Sequence, residues 1–359
     1  MKTSVVRNIA IDCRYIGQSG IGTFIENIVD ELVENHPENH YLLITNKGSR
    51  YQENDYIHIL ETDIKPFSLK ELIYFPVKQI NECDAFFIPY INIPGNINIP
   101  VFSTVHDVIF WDVPELSSWA GRFFRSLFVK RAIRKSSALF TVSQFSRERI
   151  LYHFKVDKPI YVIYNSIAKG LRDFDLSAVN AKEDTIVYVG NIKAHKGLKV
   201  LLEAFSKAKE EGCKSRLVLV GKGDSFRTSD TETMKLLQKT QNDMVFTGYL
   251  PAEQMYSIIA CARLLVLPSR YEGFGIPPME ALFLGTQALV SDIPVLKEVY
   301  ANLPVVFFRS NDAVDLKEKL MRVYTKLDIQ NVRPQIDSEY NIHEQVQILL
   351  QTMRKDCKK

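Results

Sequence analysis

The sequence predicts an α/β protein with two domains, each built as a parallel sheet covered by helices. The chain has 359 residues, which exceeds the usual size of a domain with a single hydrophobic core. Two domains are therefore expected. Short apolar segments alternate with helical patterns along the chain, which is typical of parallel sheets. The alternation pauses at a polar stretch, residues 169–184, and then resumes. We therefore place the domain boundary in this stretch.

Short apolar runs predict strands on both sides of the boundary. In the first half they are Ile9–Ile11, Tyr41–Ile44, Ala85–Ile88, Val101–Val105, Ala138–Val142 and Tyr161–Tyr164. In the second half they are Thr185–Val189, Arg216–Val220, Met244–Phe246, Leu264–Leu267, Gln287–Val290 and Val305–Phe307. The last helical segment, Ile342–Lys355, follows a polar link at residues 333–340. Two Rossmann-like domains are the simplest arrangement, and ligands bind such sheets outside the carboxyl ends of their strands.

The segment with the clearest chemical content places two carboxylates on either side of a glycine turn. Residues 268–280 read Pro-Ser-Arg-Tyr-Glu-Gly-Phe-Gly-Ile-Pro-Pro-Met-Glu, which predicts a strand end, a tight turn and the first turn of a helix. Such a junction favours an anionic group such as a diphosphate. Glu280 is then placed to accept the hydroxyls of a ribose, and Glu272 to reach another part of the same ligand.

Two alternatives remain for this carboxylate pair. A retaining-glycosidase pair has its carboxyl groups about 5 to 5.5 Å apart, and the turn between Glu272 and Glu280 disfavours that reading. The other alternative gives both carboxylates purely structural roles, with Glu280 stabilised by the helix dipole.

Composition and charge exclude several classes of protein. The net charge of +3 is too small for a typical nucleic-acid-binding domain. The five cysteines show neither pairing nor metal-ligand spacing, so we expect reduced thiols, no disulfide and no structural zinc. The chain starts without an apolar signal region and lacks an apolar run of about 18 residues. We expect a cytoplasmic protein that does not span a membrane.

A basic and aromatic segment at residues 117–135 contains six Lys and Arg residues and no acidic one. On a helix, Trp119 and Phe123 share one side, and Arg122 and Arg125 lie opposite. This composition suits a helix that meets an anionic membrane surface. The alternative is an ordinary amphipathic helix whose aromatic residues pack on the sheet.

Several motifs taken together resemble the retaining nucleotide-sugar glycosyltransferases of family 4, which have the GT-B fold. The most specific is the family's Glu-x7-Glu motif, carried here by Glu272, Gly273, Phe274, Gly275, Pro277 and Glu280. The others are Thr185–Gly190 with Asn191, Lys193, His195, Lys196 and Gly197; His106 with Asp107; Ile11–Arg14 with Gly20-Ile21-Gly22; and Thr141–Ser143 with Asn165-Ser166. The resemblance covers nearly the whole chain.

The resemblance implies a GT-B fold, that is, two Rossmann-like domains with parallel sheets facing across a cleft. Residues 1–168 are then the acceptor-binding domain and residues 169–340 the nucleotide-sugar donor-binding domain. Residues 341–359 are expected to form a helix that crosses back to the first domain.

The resemblance also implies roles for individual residues. The expected catalytic residues are His106, Lys196 and Glu272. The expected donor-binding residues are Gly20, Gly22, Gly190, Asn191, Lys196, Gly273, Phe274, Gly275, Ile276 and Glu280. Lys196 matches the diphosphate-binding lysine, and its position at a helix start is otherwise unfavourable for a cation. His106 is expected to contact the transferred sugar or to stabilise charge at its anomeric carbon.

One position departs from the family pattern. The family commonly has an arginine where this chain has Asn191, and an amide cannot cancel the charge of a diphosphate. The candidate substitutes are Lys193, Arg14 and Lys222, or else the backbone amides of residues 273–276.

By resemblance, the reaction is retaining transfer of a hexose such as mannose, glucose or rhamnose from a nucleotide diphosphate sugar. The acceptor is expected to be a glycan or a polyprenyl-diphosphate-linked glycan in bacterial O-antigen or capsule synthesis, at the inner face of the cytoplasmic membrane. No Asp-x-Asp element stands where a metal-dependent transferase needs one, so no metal and no cofactor are expected.

Other functions share some of these features. A sugar-nucleotide epimerase of the same fold uses similar phosphate contacts, whereas a phosphorylase is expected to be much longer. A non-catalytic sugar-nucleotide or glycan-binding protein is a further alternative, in which Asn191 marks lost activity. A membrane-surface scaffold built around residues 117–135 is the last.

Overall fold

A computed structural model describes residues 7–179, 182–221, 231–325 and 332–357. The chain divides into two compact units. The first consists of Met1–Ala168 together with Tyr340–Lys359, and the second of Lys169–Glu339.

Each unit contains one parallel sheet. The strands of the first sheet are β1 (Asn8–Asp12), β2 (His40–Thr45), β3 (Ile57–Glu61), β4 (Ala85–Ile88), β5 (Val101–Thr104), β6 (Ala138–Thr141) and β7 (Ile160–Val162). The strands of the second are β8 (Thr185–Val189), β9 (Arg216–Val220), β10 (Met244–Gly248), β11 (Leu264–Leu267), β12 (Gln287–Ser291) and β13 (Val306–Phe308).

Helices connect most of the consecutive strands, whereas β2 and β3, and likewise β4 and β5, are joined by segments without a helix. The helices are α1 (Ser19–Asn35), α2 (Glu71–Tyr74), α3 (Val77–Ile80), α4 (Ile109–Asp112), α5 (Trp119–Lys135), α6 (Gln144–His153), α7 (Lys169–Arg172), α8 (Leu198–Glu210), α9 (Thr231–Thr240), α10 (Ala252–Cys261), α11 (Pro277–Phe283), α12 (Pro294–Val299), α13 (Ala313–Thr325), α14 (Arg333–Glu339) and α15 (Ile342–Asp356). In the described part of the chain, no helix is long and apolar enough to cross a bilayer.

The strand order of both sheets confirms the predicted Rossmann-like class. The first sheet runs β3-β2-β1-β4-β5-β6-β7 and the second β10-β9-β8-β11-β12-β13, with every pairing parallel. The winding direction reverses between β1 and β4, and again between β8 and β11. Loops diverge at such a reversal and leave a crevice at the carboxyl ends of the two strands. The residues that follow β8 and β11 are therefore neighbours in space.

The carboxyl-terminal helix α15 belongs to the first unit. The backbone N–H of Tyr164 donates to Oε1 of Gln345 on α15 at 3.0 Å, and the hydroxyl of Ser166 donates to the carbonyl of Tyr340 at 2.5 Å. The Asn341 side chain caps α15 by accepting from the backbone N–H of His343. Leu349, Leu350 and Met353 are fully or almost fully buried, so an apolar face of α15 is part of this unit's core.

Two sequence predictions of local structure are wrong, and one strand was missed. Strand β3 was not predicted, because it is an edge strand with a half-exposed, mixed sequence. The polar link at residues 333–340 is mostly helix α14, which a single buried residue, Ile336, anchors to the core. The Gly20-Ile21-Gly22 motif, for which the family resemblance implies a glycine loop after the first strand, is instead the first turn of α1.

Helix α5 exposes its aromatic first half. Trp119 is 74% exposed, Phe123 50% and Phe124 60%, whereas the buried residues of this helix all lie at or after Val129. The interpretation in which these aromatic residues pack on the sheet is therefore wrong. No described element covers them.

The reversal point of the first sheet holds a buried ion network around Arg14. Its guanidinium donates to Asp12 Oδ1 and Oδ2 at 2.9 and 2.6 Å and to the hydroxyl of Tyr90 at 2.7 Å, and it also pairs with Glu71. Arg14, Asp12 and Glu71 have no exposed surface. Burial opposes the charge of Arg14, but Asp12 and the other acidic partners hold its pKa above its ordinary value. The hypothesis that Arg14 neutralises a diphosphate is wrong, because its charge is already paired and out of reach.

Replacing Arg14 with methionine is expected to destabilise the first unit by about 3 to 5 kcal/mol, because it leaves buried carboxyl groups without their cation. Urea unfolding followed by tryptophan fluorescence measures this change selectively. The chain has two tryptophans, Trp111 and Trp119, and both lie in the first unit.

Lys47→Met is the matched control for this measurement. Lys47 pairs with Asp63 at 3.3 Å, but their side chains are 74% and 76% exposed, so the loss is expected to stay below about 1 kcal/mol. Equal losses in the two variants would contradict the structural role given to the Arg14 network.

Candidate functional site

A half-buried ion pair lies at the reversal point of the second sheet. Lys196 follows β8 and Glu272 follows β11, and Nζ of Lys196 lies 2.7 Å from both carboxylate oxygens of Glu272. The side chain of Lys196 is 24% exposed and that of Glu272 is 10% exposed. Ser269 adds a second donor, since its hydroxyl lies 2.6 Å from Oε1 of Glu272. Lys196 thus presents a cation to solvent while Glu272 is held from two sides.

A close approach of two backbone segments brings these loops together. Gly197 has φ +71°, a left-handed conformation that favours glycine. A Cβ atom at this position would lie 1.9 Å from the carbonyl oxygen of Pro268, so no side chain fits. The backbone N–H of Arg270 also donates to the carbonyl of His195 at 2.7 Å. The β8 and β11 loops are therefore joined directly by their backbones.

His195 precedes Lys196 and is a buried, neutral residue. Burial and the neighbouring Lys196 lower its pKa to about 4. Its Nδ1 is buried and makes no hydrogen bond within the described residues. His195 therefore does not compete with Lys196 as a cation near neutral pH.

Glu280 occupies the first turn of α11 and is 7% exposed. Within the part of the chain that the structure describes, its carboxyl group makes neither a hydrogen bond nor an ion pair. Burial raises its pKa to about 7. A buried carboxyl group without a partner is costly, and hydroxyl donors from a ligand would relieve that cost.

The glycine turn before α11 is held by a tyrosine that sequence reasoning missed. Gly275 has φ +88°, and its carbonyl accepts a hydrogen bond from the hydroxyl of Tyr300. The same hydroxyl accepts from the backbone N–H of Met279 at 3.0 Å. Tyr300 has no exposed surface and lies at the end of α12, where no sequence motif marks it. It fixes the turn relative to the helix that carries Glu280.

The remaining predicted donor residues of this unit lie on the same two loops. Gly190, Asn191 and Lys193 follow β8, and Gly273, Phe274 and Ile276 belong to the turn after β11. Asn191 and Lys193 are exposed. The hydroxyl of Tyr188 lies 3.1 Å from the carbonyl of Asn191, where it donates a hydrogen bond that steadies the loop. Lys193 remains a candidate to supply the positive charge of the family arginine that Asn191 replaces. Lys222, the other candidate lysine, lies outside the described residues.

His106 lies in the first unit, directly after β5. Its Nε2 is 2.8 Å from the carbonyl of Pro89, and a carbonyl only accepts, so this nitrogen carries the proton. The ring packs edge-on against Phe24 at a centroid distance of 5.0 Å. Burial lowers the pKa of His106 to about 4, so the ring is neutral near pH 7 with Nδ1 as an acceptor.

The other predicted residues of the first unit are the glycines of α1. Gly20 and Gly22 lie in its first turn. A Cβ atom at Gly22 would lie 2.5 Å from the carbonyl oxygen of Tyr15, so the preceding loop already explains the absence of a side chain there.

Comparisons with known proteins agree with this architecture. The model for Glycosyltransferase Family 4 matches residues 18–169, and the model for Glycosyl transferases group 1 matches residues 172–332. Together the two matches span most of the chain and every described strand except β1.

Individual relatives are more distant. The O-antigen chain mannosyltransferase RfbU of Salmonella typhimurium is 29% identical over 55% of this chain and 54% of its own length. The O-antigen chain mannosyltransferase B of Escherichia coli is 26% identical over 57% and 56%. The chain thus spans about half the length of these curated relatives.

A solved structure of HepE from Anabaena, in complex with UDP and glucose, has a TM-score of 0.71 at 14% identity and covers 97% of this chain and 100% of that one. At this identity the likeness establishes the fold. Two family matches in tandem, on two parallel-sheet units with the expected strand order, confirm the resemblance found in the sequence. The chain belongs to the GT-B glycosyltransferases that join a family 4 domain to a group 1 domain.

Proposed function

We propose that this protein is a retaining hexosyltransferase that uses a nucleotide diphosphate sugar without a metal ion. The proposed product is a glycan of a bacterial surface polysaccharide, such as O-antigen or capsule. The observation that carries the proposal is the ion pair of Lys196 and Glu272 at the reversal point of the second sheet, followed along the chain by the buried Glu280 in the first turn of α11. The O-antigen mannosyltransferases among the relatives support a hexose as the transferred sugar.

Lys196 is proposed to neutralise the diphosphate of the donor. Without a donor its charge is balanced by Glu272, and its partial exposure leaves it accessible to an anion. Charge on the departing diphosphate grows in the transition state, where a fixed cation and nearby backbone amides stabilise it most. Lys193 and the amides of residues 273–276 are the proposed supplements, because Asn191 carries no charge.

Glu280 and Glu272 are proposed to hold sugar hydroxyls. An ionised Glu280 would accept two hydrogen bonds from the ribose of the donor. Both oxygens of Glu272 are engaged by Lys196, and Ser269 donates to one of them, which suits a positioning group better than a free nucleophile. This arrangement favours transfer on one face of the sugar, in which the departing phosphate helps to take the acceptor proton.

His106 is proposed to contact the transferred hexose. As a neutral ring, it offers Nδ1 as an acceptor for a sugar hydroxyl, while its Nε2–H is held by Pro89. A permanent cation at this position would oppose the positive charge that develops at the anomeric carbon. The low pKa of His106 avoids that conflict.

We further propose that the protein is cytoplasmic and binds peripherally to the inner face of the cytoplasmic membrane, where a polyprenyl-diphosphate-linked acceptor resides. The exposed Trp119 and Phe123 on α5 support this proposal. Arg122 and Arg125 lie on the same half of α5 and donate hydrogen bonds to the Pro114 carbonyl and the Ser117 hydroxyl, at 2.8 and 2.7 Å. A rigid basic and aromatic surface of this kind suits anionic lipid.

Donor binding is expected to depend on Lys196 and not on magnesium. A thermal-shift screen against UDP, GDP, ADP and dTDP, with and without Mg²⁺, identifies the nucleotide. At 100 times its dissociation constant, a ligand adds about 2.7 kcal/mol of stability. Lys196→Ala should weaken binding about 10- to 150-fold, because a charge-assisted hydrogen bond contributes about 1.5 to 3 kcal/mol.

Lys239→Ala is the matched control for Lys196→Ala, since Lys239 also pairs with a glutamate at 2.7 Å in the same unit but is 60% exposed. It should bind as the wild type does. Stabilisation by none of the four nucleotides would refute the proposed donor site. With the donor known, NMR of the product's anomeric centre decides whether transfer retains configuration.

Donor affinity is expected to rise with pH through the titration of Glu280. Its pKa of about 7 in the free protein means that the ionised, hydroxyl-accepting form becomes dominant only above neutral pH. If only that form binds, affinity for the intact nucleotide sugar rises about tenfold between about pH 6 and pH 8. Calorimetric titration at several pH values measures this change.

Glu280→Gln should bind the nucleotide sugar weakly and without this pH dependence. The stability of the free protein should change with pH in the opposite direction to donor affinity. The raised pKa of Glu280 means that the folded state binds more protons than the unfolded state. Stability from Glu280 is therefore lost as pH rises from about 4.5 through about 7, and Glu280→Gln should remove that loss. A pH profile unchanged in Glu280→Gln would contradict the assignment.

Membrane binding is expected to depend on the aromatic residues of α5. Trp119→Ala combined with Phe123→Ala should reduce co-sedimentation with phosphatidylglycerol vesicles about tenfold or more, because it removes most of the exposed apolar area. Tyr152→Ala is the control, because Tyr152 is 74% exposed on a different helix, α6. Equal binding of wild type and double variant would refute the membrane proposal and leave the transferase proposal intact.

A further inference from the structure

Three side chains of the first unit, none of them among the predicted site residues, form a potential metal-binding cluster. Glu31 lies near the end of α1, His36 is the residue that follows this helix, and His343 lies in the first turn of α15. Each offers one donor atom, and these atoms all lie within 4.8 Å of one another. Glu31 and His36 are buried, whereas the side chain of His343 is 55% exposed. The buried Glu31 and His36 side chains are therefore held in place at the end of α1, whereas His343 on α15 is accessible from solvent.

The side chains already face one another. Nδ1 of His343 lies 2.8 Å from Oε1 of Glu31, and the rings of His36 and His343 stack with centroids 5.6 Å apart and an interplanar angle of 16°. Gln347 follows His343 by one helical turn, and its Nε2 lies 3.5 Å from Nε2 of each histidine. A half-turn of the glutamine amide exchanges its oxygen and nitrogen, so Gln347 can direct a neutral oxygen toward the space between the two histidines.

A second layer of groups orients the potential ligands. Nδ1 of His36 lies 3.3 Å from Oε1 of Glu38, which leaves Nε2 of His36 available to a metal. Oε2 of Glu31 accepts from the Asn35 side chain at 2.9 Å. Metal-bound histidines usually donate their second ring N–H to a carboxylate, and metal-bound carboxylates are themselves hydrogen-bonded. Both features are present here.

We propose that Glu31, His36 and His343 bind a divalent transition-metal ion, with Zn²⁺ the best fit, and that the ion fastens α15 to α1. Two imidazoles and one carboxylate suit zinc, whereas Mg²⁺ and Ca²⁺ prefer oxygen ligands. The fourth ligand is water or the oxygen of Gln347. Tetrahedral donors at about 2.1 Å from a zinc ion lie about 3.4 Å apart, so the exposed His343 side chain closes onto the buried pair. The ion has a structural role and takes no part in the proposed transfer. This proposal departs from the expectation of no structural zinc, which considered only the cysteines.

Zinc binding to the metal-free, untagged full chain tests this inference. Competition with a chromogenic chelator should reveal one tight equivalent of Zn²⁺, and Co²⁺ should give the visible absorption of a tetrahedral site. His343→Ala should weaken zinc binding more than about 100-fold and abolish the cobalt spectrum, because it removes one of three protein ligands. Glu38→Gln should weaken binding about 10- to 100-fold, the usual effect of losing an outer-layer partner.

His58→Ala is the control, because His58 is an exposed histidine on β3 of the same unit. It should bind zinc as the wild type does. His343 is largely exposed, so its variant is expected to fold, which circular dichroism in the presence of a chelator checks. Absence of a tight zinc site in the wild type, or equal affinity in His343→Ala, would overturn the proposal and leave a simple histidine–glutamate hydrogen bond.

Discussion

The contact of Gly197 with the carbonyl of Pro268 is the constraint on which the candidate donor site depends. It lets the loop after β8 lie directly against the loop after β11, because no Cβ atom stands between them. The backbone bond from Arg270 to His195 then locks this approach. With the loops in contact, Lys196 reaches both oxygens of Glu272. A side chain at residue 197 would separate the cation from its carboxylate without changing either of them.

The two sheets use their reversal points in opposite ways. In the first unit, the point is filled by Arg14 and its acidic partners, all without exposed surface, so the charges serve to hold loops together. In the second unit, the equivalent point holds Lys196 and Glu272 with partial exposure. The buried carboxyl group of Glu280, in the first turn of α11, has no hydrogen-bond partner among the described residues. A network whose members are all satisfied is structural. A partly exposed cation and a buried carboxyl group without a partner in the described part of the chain are features typical of a ligand-binding site.

Much of the fold followed from local patterns, and the failures have physical reasons. Runs such as Leu264–Leu267 were recognisable as strands because a strand buried on both faces must be apolar throughout. The edge strand β3 lacked that signal, since solvent tolerates polar residues such as His58. Helix α14 was missed because one buried residue, Ile336, is too few to show a helical period. The motif of residues 268–280 marked the carboxylates, but not Tyr300, which holds their turn from a separate element.

The sequence by itself determined the class of fold, the family and the identity of the charged groups, because these depend on residue type and on spacing within single segments. Tertiary structure decided which groups meet. It buried Arg14 among acidic side chains, where the guanidinium cannot reach a diphosphate, and it exposed the aromatic half of α5. It also paired Lys196 with a carboxylate 76 positions away. It also brought His343 to Glu31 across 312 positions. Such proximities arise from strand order and helix packing, which no local pattern encodes, because they are set by the burial of apolar surface across the whole unit.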